Sequence, residues 1–274
     1  MAVALGREVF NADSSPVVAR GYLYAQAELD SARAAEIPAL LADEEGHAEL
    51  ADFCDALGLT GFAQQVLEET LEAIEEEDHS RGWREGEALA EAWLIEHKQC
   101  EFPWPFKRDL RHHRASMPGA ELVGMAGAEP NEAVLAFGQV KTSKERRFPP
   151  QAVNRGDTCL INQMRVLRED ENIKKTLIQY LAHRARASAA EPWVEKYKAA
   201  LIRYCESGRL HMAIFGVLVR DVTHAVRDLS EAAAALAQGC DPRTRMELVA
   251  IYLPVGCIPE GPQHAPRRRR RTEP

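Results

Sequence analysis

The apolar residues of this chain gather into short runs that break at close intervals, and this limits the folds open to it. Among the longest, Met212–Val219 spans eight residues, far below the ~20 that carry a helix across a bilayer. No transmembrane helix is expected. The 274 residues are 46% hydrophobic and 28% charged, which fits a folded globular chain and excludes disordered and collagen-like classes. The opening Met-Ala-Val-Ala-Leu stops at Gly6-Arg7, without the basic start and long apolar middle of a secretory signal, so a cytoplasmic location is expected.

Residues 16 to 78 are expected to be mostly helical, because Ile37, Leu40, Leu41, Leu50, Phe53 and Leu57 recur at broadly helical spacing. Gly58 marks a break, and a Glu-rich helix is predicted over 62–77. A further helix over 83–98 carries Leu89, Ala90, Trp93 and Leu94 on one stripe and ends before Pro103 and Pro105. Strands are predicted over 119–125 and 133–141 around a turn at 127–131, with later strands over 211–220 and 246–255. Helices are predicted over 159–167, 173–187 and 192–205, and an Ala-rich one over 230–237. Helices on both sides of a strand set imply an α/β or α+β sheet between helical layers. The expected organisation is an acidic helical N-terminal portion over 1–80, an α/β core over 81–258 and a basic tail over 259–274.

The net charge of −8 conceals an asymmetry: residues 1–100 hold 22 acidic and 6 basic side chains, the remainder 20 acidic and 28 basic. Lys and Arg replace condensed counterions on phosphates, so only the second part offers a nucleic-acid footprint. Its bases cluster at Lys107, Arg108, Arg111 and Arg114, at Lys141, Lys144, Arg146 and Arg147, and at Arg267–Arg271. The six cysteines form no Cys-x-x-Cys pair and the nine histidines show no ligand spacing, so reduced thiols and no structural zinc are expected.

The segment richest in chemistry runs from Pro118-Gly-Ala-Glu-Leu-Val-Gly124 to Leu135-Ala-Phe-Gly-Gln-Val-Lys-Thr-Ser143. Side chains alternate along a strand, so Gln139 and Lys141 share one face while Val140 points into the opposite layer. If the two strands pair through the turn, Glu121 approaches that face. Phosphodiester hydrolysis needs such a set: oxygen ligands for a hard divalent ion and a cation to offset charge in the transition state. A Lys within a strand of Ala, Val, Leu and Phe is costly unless a negative group pairs with it. A plain cross-strand salt bridge between Glu121 and Lys141 is the bland alternative.

These residues resemble the PD-(D/E)xK nuclease superfamily and, more narrowly, the HamA nuclease-subunit family of the Hachiman anti-phage system; Phe215-Gly-Val-Leu-Val-Arg220 fits the same resemblance. It implies a restriction-endonuclease-like central mixed sheet flanked by helices. It also implies Mg²⁺ or Mn²⁺ held by Glu121, by Gln139, by the Val140 carbonyl and by Glu87 from the preceding helix, with Glu91 one turn later as the other choice. Lys141 matches the catalytic Lys, and Gln163 matches a substrate-positioning Gln. Glu121 stands where the family usually has Asp, and Gln139 where it often has Glu, which lengthens one ligand and removes one negative charge. Lys107, Arg108, Arg111, Arg114, Lys144, Arg146 and Arg147 then flank the scissile phosphate, where sequence-independent backbone contacts belong.

The expected function is a metal-dependent DNA endonuclease-like effector subunit of prokaryotic defence, controlled by a helicase partner that the resemblance alone implies. The alternative is a catalytically inactive nuclease fold that binds nucleic acid or regulates a partner.

Overall fold

The computed structural model describes residues 2–42, 82–103 and 119–258, with Ala56, Gly61 and Gln65 in between. Its elements run β1 (Arg7–Ser14), β2 (Val17–Leu23), α1 (Gln26–Ala34), α2 (Glu36–Ala42), α3 (Gly82–Lys98), β3 (Cys100–Glu101), β4 (Leu122–Ala126) and β5 (Val134–Ser143). The short α4 (Gln151–Asn154), then α5 (Leu160–Glu169), α6 (Glu171–Ala187) and α7 (Trp193–Glu206), lead to β6 (Met212–Arg220). A 3-10 turn at Val226–Asp228, α8 (Ser230–Ala237) and β7 (Thr244–Tyr252) complete it.

The strands form one mixed sheet of seven, in the order β1-β2-β7-β6-β5-β4-β3. Strands β5, β6, β7 and β2 are mutually parallel, and antiparallel partners β4 and β1 flank them. Every residue of β6 is buried, which explains its unbroken apolar run: a central parallel strand is covered on both faces and has no solvated side to mark with polar residues.

Alternation along the strands divides the core into two layers. Leu135 and Phe137 of β5 join Ile214, Leu218, Leu248 and Ala250 under α5–α8, where Leu160, Met164, Leu177, Trp193 and Leu236 cover them. Ala136 and Val140 join Phe215, Val217, Val219, Val249 and Ile251 under α1–α3, against Leu29, Ile37, Leu89, Trp93 and Leu94. Each fully buried Leu, Ile, Val or Phe contributes about 1.5–3 kcal/mol through removal of its surface from water.

The expectation of a mostly helical stretch from residue 16 needs correction: Val17–Leu23 is a strand hydrogen-bonded to β7 along its whole length, and Arg7–Ser14 pairs with it. The N-terminal segment therefore supplies two of the sheet's strands, and helix begins only at Gln26. Apart from Gln65, the Glu-rich helix predicted over 62–77 lies outside the described residues, as does the basic tail. The α3, β5, β6, β7 and α8 predictions match closely, and α8 has its predicted bounds. Among the described residues no helix is long and apolar enough to cross a membrane, and five described cysteines are free.

Candidate active site

Two glycines set the site's geometry. A Cβ at Gly86 would run into Thr142 Oγ1 on β5, so only glycine lets α3 lie this close to the strand. Gly119 has φ +102°, a backbone region that L side chains rarely adopt, and turns the chain into β4. The next ladder bond is Glu121 N–H to the Gly138 carbonyl at 3.0 Å.

Strand β4 begins only at Leu122, opposite Gly138, and leaves the rest of this edge unpaired while β5 runs on to Ser143. Its Val140 N–H points to the side that β4 has left, and the Glu121 carboxylate takes the place of the absent strand: Oε2 accepts from Val140 N–H. The other oxygen, Oε1, accepts from Lys141 Nζ at 3.1 Å. The side chains of both partners are largely buried, at 12% and 17% exposure for Glu121 and Lys141. A residue's N–H and C=O point the same way along a strand, so the Val140 carbonyl faces the same vacated edge.

Gln139, only 1% exposed, donates from Nε2 to the Gly119 carbonyl at 2.6 Å, and its Oε1 has no hydrogen-bond partner. Strand alternation puts Gln139 and Lys141 on the α5–α8 side, with Leu135 and Phe137, and Val140 in the opposite core. This is the division expected from the sequence.

Glu87 comes from α3, on the other side of the sheet. It lines a small open pocket together with Glu91, Arg84, Glu121, Leu122, Ala88, Leu40 and Leu41. Glu121 thus stands at the boundary between the layers, bonded to Lys141 and sharing a pocket with Glu87. Burial, reinforced by the charge of Glu121, pushes the Glu87 carboxyl up to about 8, although Arg84 and Lys141 pull the other way. Burial alone pushes Glu91 up to about 7. Either carboxyl is held partly protonated near neutral pH unless a cation relieves the accumulated charge.

The remaining predicted residues divide. Gln163 is half-buried on α5, a helix that packs on β5 and β6. Its Oε1 is also unpartnered, and no hydrogen bond among the described residues joins it to Glu121, Gln139 or Lys141. Lys144 donates to the Ile258 carbonyl at 2.8 Å and Arg147 to that of Pro149 at 3.1 Å, while Arg146 is exposed. Lys107, Arg108, Arg111 and Arg114 lie outside the described residues. Among the described residues no group of three or more His, Cys, Asp or Glu side chains is placed to hold a metal.

Sequence reasoning missed a second charged cluster at the same end of the sheet. Arg220 and Asp228 are fully buried and paired, with Nη1 at 2.6 and 2.7 Å from the two carboxylate oxygens. Tyr252 Oη donates to Asp228 at 2.7 Å. The signal was present: an Arg that closes a wholly apolar strand needs a buried partner. Three comparisons, with protein-family models, with curated proteins and with solved structures, find no match to this chain.

Proposed function

We propose that this protein is a metal-dependent DNA endonuclease-like effector, with Glu121, Gln139 and Lys141 at its centre and Glu87 assisting. The observation that carries the reading is the meeting of Glu121 and Lys141 at 3.1 Å just before β4 begins, where the β5 edge is left open. A structural cross-strand pair needs neither a second carboxyl driven up to about 8 beside it nor an unmatched buried amide oxygen on the adjoining residue. The antiparallel β4–β5 pair continuing into parallel β6 and β7 supports the restriction-endonuclease-like class.

The donor set suits a hard cation, being all oxygen: the Glu121 and Glu87 carboxylates, Gln139 Oε1 and the Val140 carbonyl would hold Mg²⁺ or Mn²⁺. Such an ion supplies Lewis acidity toward a phosphate and lowers the pKa of water. The chain's own residues do the rest. Lys141 sets an ammonium where negative charge grows in the transition state, and its bond to Glu121 fixes that position before substrate arrives. Val140 N–H orients the Glu121 carboxylate. Gln139, tied by its amide to Gly119, presents its oxygen in a fixed direction. Lys144, Arg146 and Arg147 hold backbone phosphates without reading sequence. The place in anti-phage defence and the controlling helicase rest on the HamA resemblance.

One observation favours the second reading, an inactive nuclease fold that binds DNA or regulates a partner: both Glu121 oxygens are already engaged by N–H donors. Purified protein incubated with plasmid and Mg²⁺ or Mn²⁺, beside Lys141→Ala, decides between them. Metal-dependent nicking reduced about 100-fold or more by the substitution is the expected result. Salt-sensitive DNA binding without cleavage by either protein favours the second reading.

A further inference from the structure

The chain leaves β5 through a loop, Lys144–Pro149, at the carboxyl ends of three parallel strands, where Ser143 of β5 pairs with Arg220 of β6 and Arg220 with Tyr252 of β7. Ligands of open α/β sheets gather at this kind of end. Arg220 builds the loop from behind. While Nη1 grips Asp228, Nη2 donates to the carbonyls of Glu145 and Arg147, the latter at 3.1 Å. With the backbone carbonyls drawn inward, Arg146, Arg147 and Phe148 are exposed.

Phe148 is the unusual member. Its ring lies 5.0 Å from the Arg220 guanidinium, and the residue is still 38% exposed, between an arginine pair and the helix that follows. Covering Arg220 requires only an apolar group of this size, which Leu would supply. A partly exposed aromatic ring flanked by guanidinium groups has the make-up of a base-stacking platform with phosphate contacts beside it. Duplex bases have both faces covered by their neighbours, so such a ring accepts only an unstacked base.

We propose that this loop is a contact for single-stranded DNA, in which Phe148 stacks a base and Arg146 and Arg147 hold the adjacent phosphates, with Arg220 as the positioning residue beneath. The proposal rests on the reading of the protein as one that acts on DNA, and it adds the strandedness of what is held.

The test is fluorescence anisotropy of the full chain with labelled oligothymidylate and with a duplex of equal length, in EDTA so that binding is read apart from cleavage. The expected result is tighter binding of the single strand, weakened about five- to hundredfold by Phe148→Leu with duplex binding unchanged. Phe148→Trp keeps the affinity, and its indole fluorescence is quenched on binding. Phe148→Leu retains the apolar cover over Arg220, and its thermal melt checks that the fold survives. Equal affinity of Phe148→Leu and wild type for oligothymidylate, or no preference for the single strand, overturns the proposal. The nuclease reading fails separately, by an unchanged plasmid-nicking rate in Lys141→Ala, and that failure leaves the anisotropy result standing.

Discussion

Lys141 and Arg220 sit near the carboxyl ends of adjacent parallel strands, and the fold treats their acidic partners differently. Asp228 is fully buried, and both of its oxygens are bonded to Arg220, one of them also to Tyr252. Arg220 in turn spends Nη2 on two loop carbonyls, leaving only Nε unmatched. Glu121, by contrast, is held at the open edge, with Glu87 and its raised pKa close by and an unsatisfied Gln139 oxygen next to it. Desolvation is offset almost completely in one cluster and incompletely in the other. A cluster already satisfied gains nothing from a ligand and serves as scaffold, whereas one left unsatisfied is stabilised by whatever brings the missing charge.

The largest effect expected from this contrast is on stability. Asp228→Ala leaves a buried guanidinium uncompensated and should cost about 3–5 kcal/mol, read from urea unfolding, while Glu121→Gln should cost clearly less, because the amide oxygen still accepts from Val140 N–H and Lys141 lies at an open edge. Equal losses would break the comparison. Gly86→Ala comes next: its methyl group meets Thr142 Oγ1 and should cost about 1–3 kcal/mol by overpacking. A loss of that size also moves α3 away from β5, so the same variant should lose metal response.

The smallest effect is on pH dependence, and its sign follows from the raised carboxyls. Glu87 and Glu91 titrate at about 8 and about 7 in the folded chain, against about 4.3 when unfolded. Between those limits the folded state binds more protons, so this contribution to stability is complete below the unfolded value and is lost as pH rises toward 8. Glu87→Gln should therefore flatten the fall in stability between about pH 5.5 and about pH 8.5. A slope identical to wild type would mean that Glu87 is not held in this environment.

What could be read from the sequence follows from how burial writes itself into residue choice. β6 declares itself because both faces are covered, and α8 because its alanines pack on one side of the sheet. The β1–β2 hairpin does not. Val17, Ala19 and Gly21 alternate with Val18 and Arg20, and Ala and Gly carry little strand signal. Residues 7–14 lie on an edge strand whose exposed positions read as polar loop. At the site, Glu121, Gln139 and Lys141 were legible as residue types at a spacing, and their shared face followed from period-two alternation. That β4 begins only after Glu121, so that its carboxylate stands in for a strand and reaches both layers, depends on register and could not be read. Arg220 announced a need for a partner, but the supply of that partner by Asp228 across a short turn is a tertiary fact.

The most direct test of the central claim, that Glu121 anchors a cation-responsive site beside Lys141, is Mn²⁺ titration by calorimetry on wild type and Glu121→Gln, at a pH above about 8 so that Glu87 is ionised. The account predicts saturable binding by wild type and none by the variant. Saturable binding of the same strength in both proteins, or none in wild type, would contradict it.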